Sequence, residues 1–255
     1  MGEMRRRDVF TLAGAATATF KQVNGKEIKS GTVNSMAFKS ANMAGNLIVV
    51  YLAWTNTSSV SVTDTRGNVY TSVESPTTWG PTSNRSSQVF YAKNIAGGSN
   101  TVRATFATAI SSPGWADMYI HEYSGIDKVD PLDVSHVNTG MTAAMNSGSV
   151  ITTNANDIIF GAGASSGIVN QVGTGFTSRS TSFGNWTEDK NVTAVRAVRR
   201  DRKPRWESRC VGHAHGGVQG GRECSRHNTS LDANGFGPDA HIDLADRSEV
   251  ERQHR

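Results

Sequence analysis

Short runs of apolar and β-branched residues recur along the first two hundred residues, and most alternate with polar positions. This period of two is typical of strands with one buried face. Leu47–Trp54 is instead apolar throughout, as expected of a strand central to a sandwich. No window shows a sustained helical period with caps. The predicted strands are Thr19–Val23, Val33–Phe38, Leu47–Thr55, Val60–Thr63, Val69–Val73, Gln88–Ala92, Thr101–Phe106, Met118–Tyr123, Leu132–Val137, Ser149–Thr153, Ile158–Ala162, Phe176–Ser180 and Thr187–Ala194.

Turn sequences separate these runs. In Asp64–Asn68, Gly67 can take the positive φ that closes a hairpin, and Asn94–Asn100 is a second turn of this kind. Many short strands at this spacing predict an all-β fold, an antiparallel β-sandwich of immunoglobulin-like or jelly-roll-like type.

Five segments follow one another along the chain: Gly45–Val50, Val62–Tyr70, Val89–Gly98, Ile120–Gly125 and Pro131–Val134. In that order they resemble a family of uncharacterised secreted bacterial β-sandwich modules. The resemblance covers about residues 19–197. It implies a module that sits beside fibronectin type III or immunoglobulin-like repeats in a larger secreted or surface protein. It implies no catalytic motif, and fold alone does not supply function.

The composition changes abruptly near Arg196. Five of the seven histidines and both cysteines lie in residues 198–255, where apolar periodicity is almost lost. We therefore predict that 198–255 is a disordered tail. The resemblance implies one more strand, of the kind Ala-Trp-Val-Met-x-Met-Val-Ala-Phe-Lys. A shift of one nucleotide would turn Cys210–Gln219 into such a segment, which leads to the hypothesis that the tail is a frameshifted translation.

Residues 1–18 form a third part, ahead of the module at 19–197. Arg5, Arg6 and Arg7 precede a short apolar stretch, and this pattern resembles a twin-arginine export signal. A disordered N-terminus is the alternative. The expected location is secreted or cell-surface. No apolar run reaches the roughly 20 residues that span a bilayer, so we predict no membrane span. A net charge of +4 is mild, and no nucleic-acid partner is predicted.

Three tryptophans lie in or beside predicted loops, where a large aromatic side chain often marks a contact surface. Trp79, Trp115 and Trp186 are the predicted ligand-binding residues, because flat indole rings stack on sugar rings. The alternative is that they cap the ends of the core.

The most acidic stretch of the body predicts a cation site. Asp127, Asp130 and Asp133 surround a proline turn, and carboxylates in a β-loop can hold Ca²⁺. Solvated turn acids are the alternative. No other cofactor is predicted. In the tail, the spacing of Cys210, His213, His215, Cys224 and His227 would suit Zn²⁺, but the frameshift hypothesis makes that spacing a coincidence.

The sequence favours a non-catalytic extracellular module that binds a polysaccharide or cell-surface glycan, or serves as a structural spacer. The alternative is a hydrolase acting on an ester, lactone or glycoside. Ser165 lies in a G-x-S-x-G pattern with Asp189 and His213 downstream, although a nucleophile elbow also needs a following helix, which the sequence does not predict. His121 with Glu122, and His136, are further candidates for acid–base chemistry.

Overall fold

A computed structural model describes residues 5–140, 145, 147–148, 150–167, 172–193 and 197–198. Every strand pairing within these residues is antiparallel, which confirms the predicted all-β class. One 3-10 turn, Ser182–Gly184, is the helical element of the described part, and no helix there is long and apolar enough to cross a bilayer. The predicted disordered tail lies outside the described residues, apart from Val198.

Sheet 1 has five strands in the order β11-β1-β13-β15-β14. Their bounds are β1 (Arg5–Leu12), β11 (Leu132–Gly140), β13 (Ile158–Ser165), β14 (Thr177–Ser180) and β15 (Trp186–Asn191).

Sheet 2 has the order β2-β10-β4-β8-β6, with β7 also paired to β8. Its strands are β2 (Gly14–Ile28), β4 (Leu47–Thr55), β6 (Thr71–Ser72), β7 (Thr77–Trp79), β8 (Arg85–Ala92) and β10 (Ala116–Ile126).

Sheet 3 has the order β3-β9-β5, formed by β3 (Gly31–Ala37), β5 (Val60–Asp64) and β9 (Thr101–Ile110). A separate pair joins β12 (Val150–Ile151) to β16 (Ala197–Val198).

Sheet 2 lies between the other two sheets. One of its faces packs against side chains of sheet 1, and the other packs against side chains of sheet 3. On β4, Val49 and Tyr51 pack in one core with Phe10 and Phe160 of sheet 1. The intervening residues of β4 pack in a second core with strands of sheet 3. The sandwich therefore has a third layer, and this layer explains why Leu47–Trp54 has no polar position.

The segment predicted as an export signal lies inside the fold. Residues Arg5–Leu12 form β1, which pairs with β11 on one side and β13 on the other. Phe10 and Leu12 are fully buried, and buried Arg7 forms an ion pair with buried Glu188. A domain boundary at residue 18 therefore does not separate this segment from the folded body, and its role in export stays a prediction.

Candidate functional site

A row of four side chains crosses one end of sheet 2. Trp79 of β7 is the register partner of Arg85 of β8, and Arg85 is the register partner of Thr55 of β4. The backbone N–H of Thr55 then donates to the carbonyl of Trp115 at 2.9 Å, immediately before β10. Antiparallel pairing thus brings two aromatic rings, one cation and one hydroxyl together from three strands and the segment before β10.

The backbone of Trp115 is held in place by the Thr55 hydroxyl. This hydroxyl accepts from the Trp115 N–H at 2.9 Å and donates to the Trp115 carbonyl at 3.1 Å. Gly114 precedes it in a tight turn, where its N–H donates to the Ser111 carbonyl at 2.6 Å. A Cβ on Gly114 would lie 2.4 Å from Thr55 Oγ1, so this position requires glycine. The ring of Trp115 is therefore presented on a rigid support.

Arg85 lies against both indole rings. Its guanidinium carbon is 5.3 Å from the ring centroid of Trp79 and 5.9 Å from that of Trp115. The two rings are 6.3 Å apart and inclined at 51°. Cation–π attraction at these distances holds the guanidinium near the rings, and Trp79 is the buried base of the assembly.

An open cleft of about 510 Å³ lies beside this assembly. Its lining combines the half-buried indole of Trp115 and the Arg85 guanidinium with amides and hydroxyls, including those of Asn56, Asn84 and Ser111. Asn56 has a positive φ of 98°, and its backbone N–H donates to the Asn84 carbonyl at 2.7 Å. The volume falls within the roughly 300–1,000 Å³ usual for small-molecule sites.

The structure places only two of the three predicted tryptophans at the same site. It brings Trp79 and Trp115 together, but Trp79 has no exposed surface and offers no face to a ligand. Trp186 begins β15 in sheet 1 and is not part of the cleft lining. Of the three, Trp115 is the one whose ring borders the cleft. Arg85 was not predicted, since nothing in the local sequence shows that pairing places it between two indoles.

The three aspartates predicted to bind Ca²⁺ do not form one cluster among the described residues. The Asp127 carboxylate accepts from the N–H groups of Asp130 and Val129, which lower the pKa of its carboxyl. Asp133 instead accepts from the N–H of Thr153 at 2.8 Å. Within the described ranges, no group of three or more His, Cys, Asp or Glu residues is arranged to hold a metal ion. The cation site therefore receives no support from this geometry.

Asp133 has a neighbour that the sequence did not indicate. Asp157, just before β13, is almost completely buried beside it. Burial, together with the nearby Asp133 carboxylate, raises the pKa of Asp157 to about 7. The two carboxyl groups therefore share a site in which Asp157 carries a proton under mildly acidic conditions.

His121 and Glu122 face opposite sides of β10, so they cannot act as one acid–base pair. His121 is fully buried on the sheet 1 side, where its Nε2 lies 2.9 Å from Thr187 Oγ1, and burial lowers its pKa to about 3. Glu122 points toward residues 42–46. Alternation along the strand separates the two side chains.

Glu122 accepts four hydrogen bonds. Gln22 Nε2 and Asn42 Nδ2 donate to Oε2 at 2.6 and 2.8 Å, whereas the Met43 N–H and Asn46 Nδ2 donate to Oε1 at 2.9 and 2.6 Å. Burial acts to raise the pKa of Glu122, but the donors outweigh it and hold this pKa below the usual range. Glu122 is thus an ionised structural group that fastens residues 42–46 to sheet 2.

Asp64 plays the same structural role in the turn that follows β5. It accepts from the N–H groups of Arg66 and Asn68, from Asn68 Nδ2, from the Tyr70 hydroxyl and from Asn100 Nδ2, at 2.7 to 3.0 Å. These donors lower the pKa of Asp64 against the opposing effect of burial. The polar residues of the Val62–Tyr70 segment therefore stabilise a turn.

The predicted hydrolase residues do not come together in the described residues. Ser165 is the last residue of β13, and its Oγ accepts from the Gly167 N–H at 3.1 Å. Asp189 accepts a bidentate pair of bonds from Arg179, at 2.6 and 2.8 Å, and one from the Tyr123 hydroxyl. His213 and the predicted tail metal ligands lie outside the described residues.

Comparison with known protein families, with curated proteins and with solved structures finds no match to this chain.

Proposed function

We propose that this protein is a non-catalytic carbohydrate-binding module and that the Trp115 cleft is its ligand site. The observation that carries the proposal is a half-buried indole, rigidly held beside an open cleft of mixed polar and apolar lining and next to an arginine. An indole face packs on the C–H face of a sugar ring, and neighbouring amide, hydroxyl and guanidinium groups can hydrogen-bond its hydroxyls.

The lining offers hydrogen-bonding groups beside apolar surface, the combination that a sugar ring requires. Asn56, Asn84, Thr108 and Ser111 line the cleft together with Trp115, and all of these except Asn56 and Trp115 are exposed. Amide groups both donate and accept hydrogen bonds, as sugar hydroxyls do. An open cleft also admits a chain that continues beyond the site, as expected for a polysaccharide.

The wider setting follows from the sequence resemblance. In this proposal the module belongs to a larger secreted or surface protein, where it attaches a neighbouring domain to a polysaccharide. No described geometry favours the hydrolase alternative. The spacer alternative predicts that no glycan binds.

Affinity electrophoresis in gels containing soluble polysaccharides tests the proposal. Neutral probes are hydroxyethylcellulose and galactomannan, and acidic probes are polygalacturonate and alginate. We expect retardation by at least one of them, and a drop of about tenfold or more in affinity for Trp115→Ala, since an aromatic platform supplies on the order of 1–2 kcal/mol.

Two comparison variants make the result specific. Trp115→Phe keeps an aromatic face and should restore most of the binding. Trp186→Ala removes an indole from sheet 1 and should leave binding unchanged. Circular dichroism checks that each variant is folded. Absence of retardation in every gel, or equal binding by folded Trp115→Ala, would refute the proposal.

A further inference from the structure

Among the described residues, no carboxylate forms an ion pair with Arg85. The ion pairs seen there join other residues, among them Arg7 with Glu188, Lys29 with Glu27 and Arg179 with Asp189. The Arg85 guanidinium instead contacts the two indole rings. Within the described part of the chain, the cation therefore has no paired counter-charge.

The arginine stem is also positioned by its surroundings. Gly80, at a φ of 93°, lies against it, and a Cβ there would be 3.2 Å from Arg85 Cδ and 3.3 Å from Cγ. Trp79 supports the guanidinium from the buried side. An arginine held by a ring and a glycine loses less conformational entropy on binding than a free surface arginine.

None of the described residues that line the cleft is acidic. Besides Arg85 the lining consists of threonine, asparagine, serine, alanine, proline, glycine and tryptophan. No described lining group would repel an anion or compete with it for the guanidinium. Neutral sugars need only the amides and the indole, so the unpaired cation indicates a ligand that carries negative charge.

A guanidinium is suited to bind oxyanions such as carboxylate and phosphate. Its planar fork donates two parallel hydrogen bonds to a carboxylate, and these charge-assisted bonds are stronger than neutral ones. In a glycan, the group with this shape is the C6 carboxylate of a uronic acid, which lies at the edge of the ring that stacks on an indole.

We propose, on the basis of the glycan-binding function proposed above, that the cleft selects uronic-acid polysaccharides. Arg85 binds the sugar carboxylate, and Trp115 stacks on the ring that bears it. The ligand class is then an acidic glycan, and Arg85 is the residue that determines specificity.

Two ligands of identical backbone separate the charge from the sugar. Polygalacturonate carries free carboxylates, whereas its fully methyl-esterified form carries none. Calorimetry at low salt should show the wild type binding polygalacturonate about tenfold or more tightly than the ester. Raising the salt should reduce this preference because screening weakens charge–charge attraction.

Substitutions assign the preference to one residue. Arg85→Gln should bind both polymers with equal, weaker affinity, and Arg85→Lys should recover part of the preference because it keeps the charge without the fork. Arg66→Gln is the matched control, since Arg66 is an exposed cation that does not line the cleft. It should leave the preference unchanged, which excludes attraction by the net charge of the chain.

Three outcomes would overturn the inference. Equal binding of both polymers by the wild type, with loss in Trp115→Ala, leaves the glycan-binding function intact and removes only the selectivity. If folded Arg85→Gln still prefers polygalacturonate over its ester, a group other than Arg85 causes the preference. Absence of binding to every neutral and acidic polymer refutes the proposed function together with this inference.

Discussion

The substitution Glu122→Gln tests the assignment of Glu122 as a structural carboxylate. Each carboxylate oxygen accepts two bonds, one pair from Gln22 and Asn42 and the other from Met43 and Asn46. A glutamine amide keeps one acceptor oxygen and turns an NH₂ group toward two donors. In either orientation, two of the four bonds are lost and two donors face another donor.

The expected cost follows from these four bonds. Hydrogen bonds to a charged group contribute about 1.5–3 kcal/mol each, so losing two costs about 3–6 kcal/mol. This is a large part of the roughly 5–15 kcal/mol that stabilises a typical domain. Glu27→Gln is the matched control, since Glu27 forms one partly exposed ion pair with Lys29 and should change stability by less than about 1 kcal/mol.

Urea unfolding followed by tryptophan fluorescence measures both variants. The pH dependence of the free energy of unfolding provides a second test. Because the folded pKa of Glu122 is below its ordinary value of 4.5, its stabilisation is present above that pH and is lost as the pH falls through the folded value. The difference between wild type and Glu122→Gln should therefore narrow in acid. A destabilisation below about 1 kcal/mol at pH 7 would refute the reasoning.

Three further substitutions test other parts of the account. Gly114→Ala places a Cβ 2.4 Å from Thr55 Oγ1. This clash should weaken glycan binding in gels and destabilise the fold by about 1–3 kcal/mol. Unchanged binding would show that this turn does not determine the shape of the cleft. The pKa of Asp157 is raised to about 7, so the stability of the wild type should fall as the pH rises from about 4 to about 7. In Asp157→Asn, the urea concentration at the midpoint of unfolding should depend less on pH. The same pH dependence in both proteins would contradict the carboxyl pair. Phe10→Ala should cost about 3–5 kcal/mol by thermal unfolding, because the ring packs 5.1 Å from that of Phe160; an unchanged midpoint would place β1 outside the core.

Local pattern predicted the strands well where one physical cause dominates. Leu47–Thr55 matches β4 at both ends, because its apolar residues end where polar residues begin. The local pattern did not predict the third layer formed by sheet 3. A run buried on both faces shows that something covers each face, but sequence does not state which strands do so.

The N-terminal segment shows how one pattern serves two structures. Three arginines followed by apolar residues match an export signal, yet the same residues form β1, which lies between β11 and β13 in sheet 1. Buried Glu188 is the ion-pair partner of Arg7, and it lies far along the chain. Because that pairing is non-local, single-sequence periodicity gave no sign of it.

The candidate site was predicted only in part, for the same reason. Trp115 was predicted from its Gly/Pro loop, but the signal that found it also selected Trp79, which is buried. Arg85 becomes informative only when register places it between Trp79 and Thr55. A site formed by side chains on neighbouring strands can be identified only when the strand pairing is known.

Nuclear magnetic resonance of the five tryptophan indole N–H groups tests the central claim most directly. Titration with an oligosaccharide of the polymer that is bound in gels should shift the Trp115 resonance, assigned by its loss in Trp115→Phe. The Trp186 resonance should stay in place. If Trp186 shifts and Trp115 does not, the ligand binds elsewhere and the cleft is not the site.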